Sequence, residues 1–154
     1  MYQPIPASDL QDVQQFPFRG GYGLLARLPY LPCVYEYWEG SPDAVSWMAL
    51  NEAGLAMVKE HRLVGWLADL PALGPVPEEL NEWILHDAQH RIVGAGVQRL
   101  ANVLPEDFFA QLAVAAWGLA IRDGFLSLNT MRREDALAWL QRELGQSPRN
   151  FNLK

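Results

Sequence analysis

Leu63-Val-Gly-Trp-Leu-Ala-Asp69, continued by Leu70-Pro-Ala-Leu-Gly-Pro75, lies between two stretches of helical periodicity. The first part is apolar and short enough for a buried strand, and the second is a Pro/Gly-rich turn. A strand between two helices is the centre of a βαβ arrangement, so the sheet is expected to be at least partly parallel. Asp69 falls at the carboxyl end of this strand. Ligands of open α/β sheets gather at such ends, which makes Asp69 the first candidate for a ligand-facing carboxylate. The competing reading is a structural one, in which Asp69 caps backbone N–H groups of the Leu70–Gly74 turn.

Upstream, residues 1–21 are polar and broken by Pro4, Pro6, Pro17 and Gly20-Gly21, which predicts an irregular arm. Tyr22–Leu28 and Cys33–Trp38 read as strands around a Pro29-Tyr-Leu-Pro32 turn, forming an antiparallel hairpin. Ser41-Pro42-Asp43 predicts a helix start, with Ser41 as N-cap. That helix runs to His61, with Val45, Met48, Leu55 and Val58 on its buried side.

Downstream, Pro77-Glu78-Glu79 opens a second helix with Leu80, Trp83, Ile84, Ala88 and Ile92 inward. Val97–Leu104 is a strand. Pro105-Glu106-Asp107 opens a third helix, with Phe108, Leu112, Ala115 and Leu119 on one face. Phe125–Thr130 is the last strand, and Arg133–Leu144 is a last helix with Ala136, Leu137 and Leu140 inward. A polar tail, 145–154, follows. The expected order is ββαβαβαβα: a five-stranded mixed sheet with an opening β-hairpin, then βα crossovers, and four main helices, within one domain of residues 22–144.

Composition narrows the function. A chain of 154 residues can bury a sufficient core without metal or disulfide. The net charge of −6, with no basic run longer than Arg132-Arg133, argues against a nucleic-acid partner and against an anionic membrane surface. No apolar run reaches the length of a membrane span, and the amino-terminal residues do not form a secretory signal. The single Cys33 fits a reducing compartment, so a cytoplasmic location is expected.

Candidate chemistry is sparse. His86 and His90 are four apart on a predicted helix, but a zinc site needs further ligands, and the Glu of metalloprotease signatures is missing. No metal or cofactor is expected. Cys33 reads as a buried hydrophobe rather than a nucleophile. No Gly-x-Ser-x-Gly is present, and Gly20-Gly-Tyr-Gly23 lacks the Gly-Lys-Ser/Thr of a phosphate loop.

Several motifs in order resemble the SpoIIAA-like (STAS/SEC14-type) bacterial proteins. They are Tyr37-Trp38-Glu39-Gly40, then Val58-Lys59-Glu60-His61, then Trp66-Leu67-Ala68-Asp69 with Leu73-Gly74, and Trp83 in the next helix. Val103-Leu104-Pro105-Glu106-Asp107 with Phe109-Ala110-Gln111, and Ala136-Leu137-Ala138-Trp139-Leu140, complete the match over roughly residues 22–144. The resemblance implies that fold and a non-enzymatic interaction module. STAS regulators of the anti-sigma-antagonist type carry a phosphorylatable Ser where the third strand meets its helix. Here that place reads Asp69-Leu70-Pro71-Ala72-Leu73-Gly74, without Ser or Thr, so a kinase-operated switch of that kind is not expected.

The SEC14-type side of the resemblance implies an alternative, a carrier of a hydrophobic, lipid-like small molecule. Its cavity is expected between helices and sheet, lined by Leu67, Leu73, Trp83, Leu104 and Phe108, with Asp69 as polar anchor. Right-handed crossovers between neighbouring strands place every crossover helix on one side. The other face is then expected to be open and polar-aromatic, with Arg99, Ser127, Glu36 and Trp66 as members, and to serve as a homodimer interface together with the arm.

Overall fold

A computed structural model describes residues 1–117 and 124–145. One six-stranded sheet runs through the molecule in the order β1-β2-β3-β4-β5-β6. The strands are β1 (Gln11–Phe18), β2 (Gly21–Arg27), β3 (Cys33–Glu39), β4 (Gly65–Asp69), β5 (Arg99–Val103) and β6 (Leu126–Thr130). The first three pair antiparallel and β3 through β6 pair parallel. The mixed sheet with its opening hairpin is as expected, but it has one strand more.

The extra strand comes from the supposed irregular arm. Pro17 pairs with Tyr22 inside the β1–β2 ladder. β1 is an edge strand, where a missing N–H faces solvent and costs little. Its register shifts between Gln11 and Gln14, and Asp12 there takes φ 56°, a bulge of the kind that blunts exposed edges. The ion pair from Arg27 Nε to Asp12 Oδ2, 2.6 Å, spans the irregularity.

The helices are α1 (Ala44–His61), α2 (Glu78–Trp83), a π-helical turn (Ile84–Ala88), α3 (Gln89–Gly94), α4 (described over Phe108–Trp117) and α5 (Arg133–Leu144). Backbone dihedrals stay right-handed helical from α2 through the π turn into α3, so these segments make the one helix read from the sequence. α1 starts two residues later than expected. Asp43, not Ser41, is its N-cap and accepts from the Ser46 N–H at 2.7 Å. Among the described residues no helix is long and apolar enough to cross a membrane.

Two apolar layers sandwich the sheet. On one face Val34, Trp38, Trp66 and Leu100 pack with α1, α2, the π turn, α3 and α4 through Leu50, Val58, Leu80, Ile84, Ile92 and Val114. The close approach of α1 depends on Gly54: a Cβ there would lie 2.5 Å from Trp66 Cη2. On the other face Tyr35, Tyr37, Leu67, Ala101 and Val103 pack against α5 through Ala136, Leu140 and Leu144, and against Ile5 and Leu10. The second face is therefore not open. α5 follows the last strand, so it is not a crossover, and the handedness rule does not hold it to the side of the others.

Side-chain alternation also corrects the expected grouping of the face. Arg99 is opposite Leu126, and Leu100 is opposite both Trp66 and Ser127. Glu36, Trp66 and Ser127 thus share the face under α1–α4, whereas Arg99 lies on the α5 face and pairs with Glu143 at 2.8 Å. Two helices differ from expectation, one in part. α1 buries Leu55 and Val58 as expected, together with Trp47, Leu50, Asn51 and Met57, but Val45 is exposed. In α4, Phe108 and Leu112 are exposed while Ala110, Val114 and Trp117 are buried. Leu119 lies outside the described residues, as does most of the expected tail, 146–154.

Candidate functional site

Asp69 ends β4 on the α5 face and is fully buried. It does not cap the following turn, which closes through backbone bonds from Leu73 N–H to Leu70 O and from Gly74 N–H to Gly40 O. Its carboxylate accepts instead from the Tyr2 hydroxyl, from the Tyr35 hydroxyl at 2.6 Å, and from Arg133 Nε and Nη2 at 3.0 and 2.8 Å. Arg133 also donates to the Gln3 carbonyl and sits 4.8 Å over the Tyr2 ring. The Ile5 N–H donates to the Tyr35 hydroxyl at 3.0 Å.

Burial, then the Asp69 carboxylate, hold both phenols above their ordinary pKa. Burial pulls the Arg133 guanidinium down, but the charge and hydrogen bonds of Asp69 more than offset it, and the net shift is upward. This set of four residues fastens the amino-terminal segment and the start of α5 to the end of β4. A surface cleft of about 460 Å³ beside it, bordered by Tyr2, Leu104, Glu106 and Arg133, meets polar groups that Asp69 already holds.

The other buried polar cluster faces α1–α4. Glu36, at the middle of β3, is 5 % exposed. The parallel β3–β4 pair brings the neighbouring strand's Trp66 beside it, and the two-residue alternation of β3 brings Trp38. Trp66 Nε1 donates to Glu36 Oε1 at 2.8 Å and Trp38 Nε1 donates to Oε2 at 2.6 Å. Burial pushes the Glu36 carboxyl above the ordinary carboxylate range, and the two indole bonds pull it back only part of the way.

Beside Glu36 lies a cavity of about 40 Å³ between sheet and helices, room for about three water-sized groups. Its walls include Trp47, Trp66, Trp117, Ile84, Ala88 and Leu100, and its polar members are Glu36, Asn51, Gln89 and Asn102. Asn102 donates to Asn129 Oδ1 at 3.1 Å and Asn51 to the Trp47 carbonyl at 3.4 Å. Gln89 Oε1 is buried without a hydrogen-bond partner. Gln89 follows the π turn directly, a distortion of helical bonding that recurs at functional sites.

None of the expected lining residues borders this cavity. Leu67 and Asp69 belong to the opposite layer. Leu73, Trp83 and Leu104 pack with the α1–α4 layer without reaching the cavity. Phe108 is 64 % exposed, because α4 presents its Ala110–Val114–Trp117 side to the sheet. Glu36 and Trp66, expected on an open interface face, border the cavity instead, while Asn51, Gln89 and Asn102 were missed in the sequence. Glu36, Asn51 and Asn102 share one usable signal, a polar residue at a buried position of a strand or helix.

The expected roles of the remaining candidates depend on where the chain places them. Cys33 is fully buried on the α5 face and burial pushes its thiol up to about 12, well above a reactive thiolate. His86 lies on the π turn with its side chain 76 % exposed, 3.4 Å from Glu82. Among the described residues no group of three His, Cys, Asp or Glu side chains is placed to hold a metal ion.

No family model matches the chain, and no curated protein matches it. Among solved structures the chain is similar to an uncharacterised protein of the DUF3478 family with a SpoIIAA-like fold from Shewanella loihica PV-4. Identity is 14 %, the TM-score is 0.46, and the match covers 83 % of this chain and 91 % of that one.

Proposed function

We propose that the protein is a non-enzymatic binding module that takes a small ligand into the chamber beside Glu36. The observation that carries this reading is Gln89 Oε1, a buried acceptor with no partner, on the wall of a mostly apolar chamber that also holds Glu36. An unpaired buried polar group costs about 1–3 kcal/mol, and a ligand donor would recover it. Apolar walls with a few converging polar groups are the usual make-up of small-molecule sites. At about 40 Å³ this chamber lies far below the roughly 300 Å³ of drug-sized pockets, so its ligand has only a few atoms and is not the lipid-like cargo of the alternative reading.

Native mass spectrometry and thermal shifts with a small-fragment library test the module. Expected is a saturable shift that is lost in Ala88→Leu, which fills the chamber. Identical fragment responses in the wild type and Ala88→Leu would overturn the reading.

A second reading, homodimerisation, is favoured by β6. It is an edge strand, Leu126-Ser-Leu-Asn-Thr130, without charge, proline or bulge, and such edges pair readily with another chain. Antiparallel pairing of two copies about Leu128 would extend the sheet through a twofold axis. Leu126 N–H bonds back to Gln98 O, so by alternation the Ser127 and Asn129 N–H groups point outward. Ser127 thus stays an interface residue, through its backbone. Light scattering should give a dimer for the wild type and a monomer for Ser127→Pro, and a monomeric wild type at high concentration rejects this assembly.

A further inference from the structure

The chamber contains a charge problem that points to the kind of ligand. Glu36 lies beneath α1–α4, and among the described residues its hydrogen-bond partners are two indole N–H groups. Among the described residues no Lys, Arg or His forms an ion pair with it. A buried carboxylate without a counter-charge is strongly disfavoured, so it is either protonated or compensated from outside the chain. Neutral donors in the ligand would supply hydrogen bonds but no counter-charge, whereas a cation with N–H groups supplies both.

The walls agree with a cation. Trp47, Trp66 and Trp117 border the chamber. Trp47 stacks on Trp38 with centroids 4.8 Å apart and meets Trp117 edge-on at 5.7 Å, so these rings are held in place before any ligand arrives. Aromatic walls attract organic cations, and tryptophan does so most strongly. A hydrated inorganic ion would lose its water to mainly carbon surfaces. An alkylammonium presents N–H donors at one end and weakly hydrated carbon at the other.

Resting on the binding-module reading above, we propose that the chamber binds a small organic monocation, an alkylammonium of about three non-hydrogen atoms. Its ammonium group donates to Gln89 Oε1 and Glu36, and its carbon end lies against the tryptophans. Asn51 and Asn102, both 4 % exposed, complete the polar side. The chamber size excludes a bulky quaternary ammonium.

Ethylammonium chloride is the probe, with ethanol and acetamide as neutral counterparts, tetrapropylammonium as the size control and sodium chloride for ionic strength. Binding is read by tryptophan emission and by the thermal midpoint. Expected is saturable binding of ethylammonium to the wild type, roughly tenfold or more weaker in Glu36→Gln and absent in Ala88→Leu, with no response to tetrapropylammonium. Ala88→Leu leaves Glu36 and its indole partners in place, so the test stands even where Glu36→Gln fails to fold. Ethanol or acetamide binding as well as ethylammonium, with the response lost in Ala88→Leu, overturns the cation and leaves the module. If neither the cation nor the neutral fragments bind, both readings fall.

Discussion

Trp66 and Glu36 meet across the β3–β4 pair through an indole N–H bond of 2.8 Å, and that contact joins the buried carboxyl to the rigid part of the sheet. Trp66→Phe keeps most of the ring and removes the donor. A hydrogen bond contributes about 0.5–1.5 kcal/mol with a neutral carboxyl and about 1.5–3 kcal/mol with an ionised one, so urea denaturation should show a loss of about 0.5–3 kcal/mol. Part of the loss comes from volume, and a cycle with Glu36→Gln separates the two. A coupling near zero in that cycle would show that the hydrogen bond contributes nothing.

Glu36 also makes a pH prediction. Its folded pKa is raised by burial, so in the window between its ordinary and its folded value the folded state binds more protons than the unfolded one. Stability from this group is then full below the unfolded pKa and is lost as pH rises through the folded value. The stability of the wild type relative to Glu36→Gln should therefore fall as pH rises from about 4 toward neutrality. Denaturation midpoints of both proteins across that range check the sign, and a difference that grows with pH contradicts it.

Gly54 makes a prediction that runs against helix propensity. In an exposed helix interior, Gly to Ala gains about 1 kcal/mol. At this position the new Cβ would lie 2.5 Å from Trp66 Cη2. Overpacking of that kind costs about 1–3 kcal/mol, so Gly54→Ala should lower the thermal midpoint, and a stabilised variant would show that α1 is free to move away from the sheet.

Asp69 and Arg133 tie three distant parts of the chain together. Arg133→Met leaves a fully buried carboxylate with only the Tyr2 and Tyr35 hydroxyls. Removing one partner of a buried pair costs about 3–5 kcal/mol. Limited proteolysis of the variant should cut first near residues 1–10, since the Gln3 carbonyl also loses its donor. A variant as stable and as resistant as the wild type would mean that the amino-terminal segment is held by its apolar contacts alone.

Cys33 should be silent in the native protein. Its thiol is fully buried and pushed up to about 12, so a thiol reagent at pH 8 should label it only after unfolding in urea. Stoichiometric labelling within minutes in buffer would contradict the burial.

Local patterns along the chain determined the order of elements. The apolar run of β4, the aromatic and β-branched β3, and the Leu80–Ile84–Ala88–Ile92 spacing are each interpretable from neighbours a few residues away, because strand and helix periods are properties of short segments. The same information predicted the hairpin, the parallel crossovers and the burial of Cys33. It misjudged β1, because an edge strand needs neither an apolar face nor freedom from proline.

Only the tertiary structure decided which side each element presents and which polar groups meet. α4 carries apolar residues on more than one face, so its own sequence does not choose between Phe108 and Trp117; packing against α1 does. α5 is free of the crossover rule, so its docking on the second face depends on the apolar layer of Tyr35, Leu67 and Val103. The partners of Asp69 come from residues 2, 35 and 133, and the walls around Glu36 come from β3, β4, β5, α1, the π turn, α3 and α4. Contacts at such separations leave no periodic trace in the sequence, because they arise only when the strands pair in one register and the helices settle on the sheet.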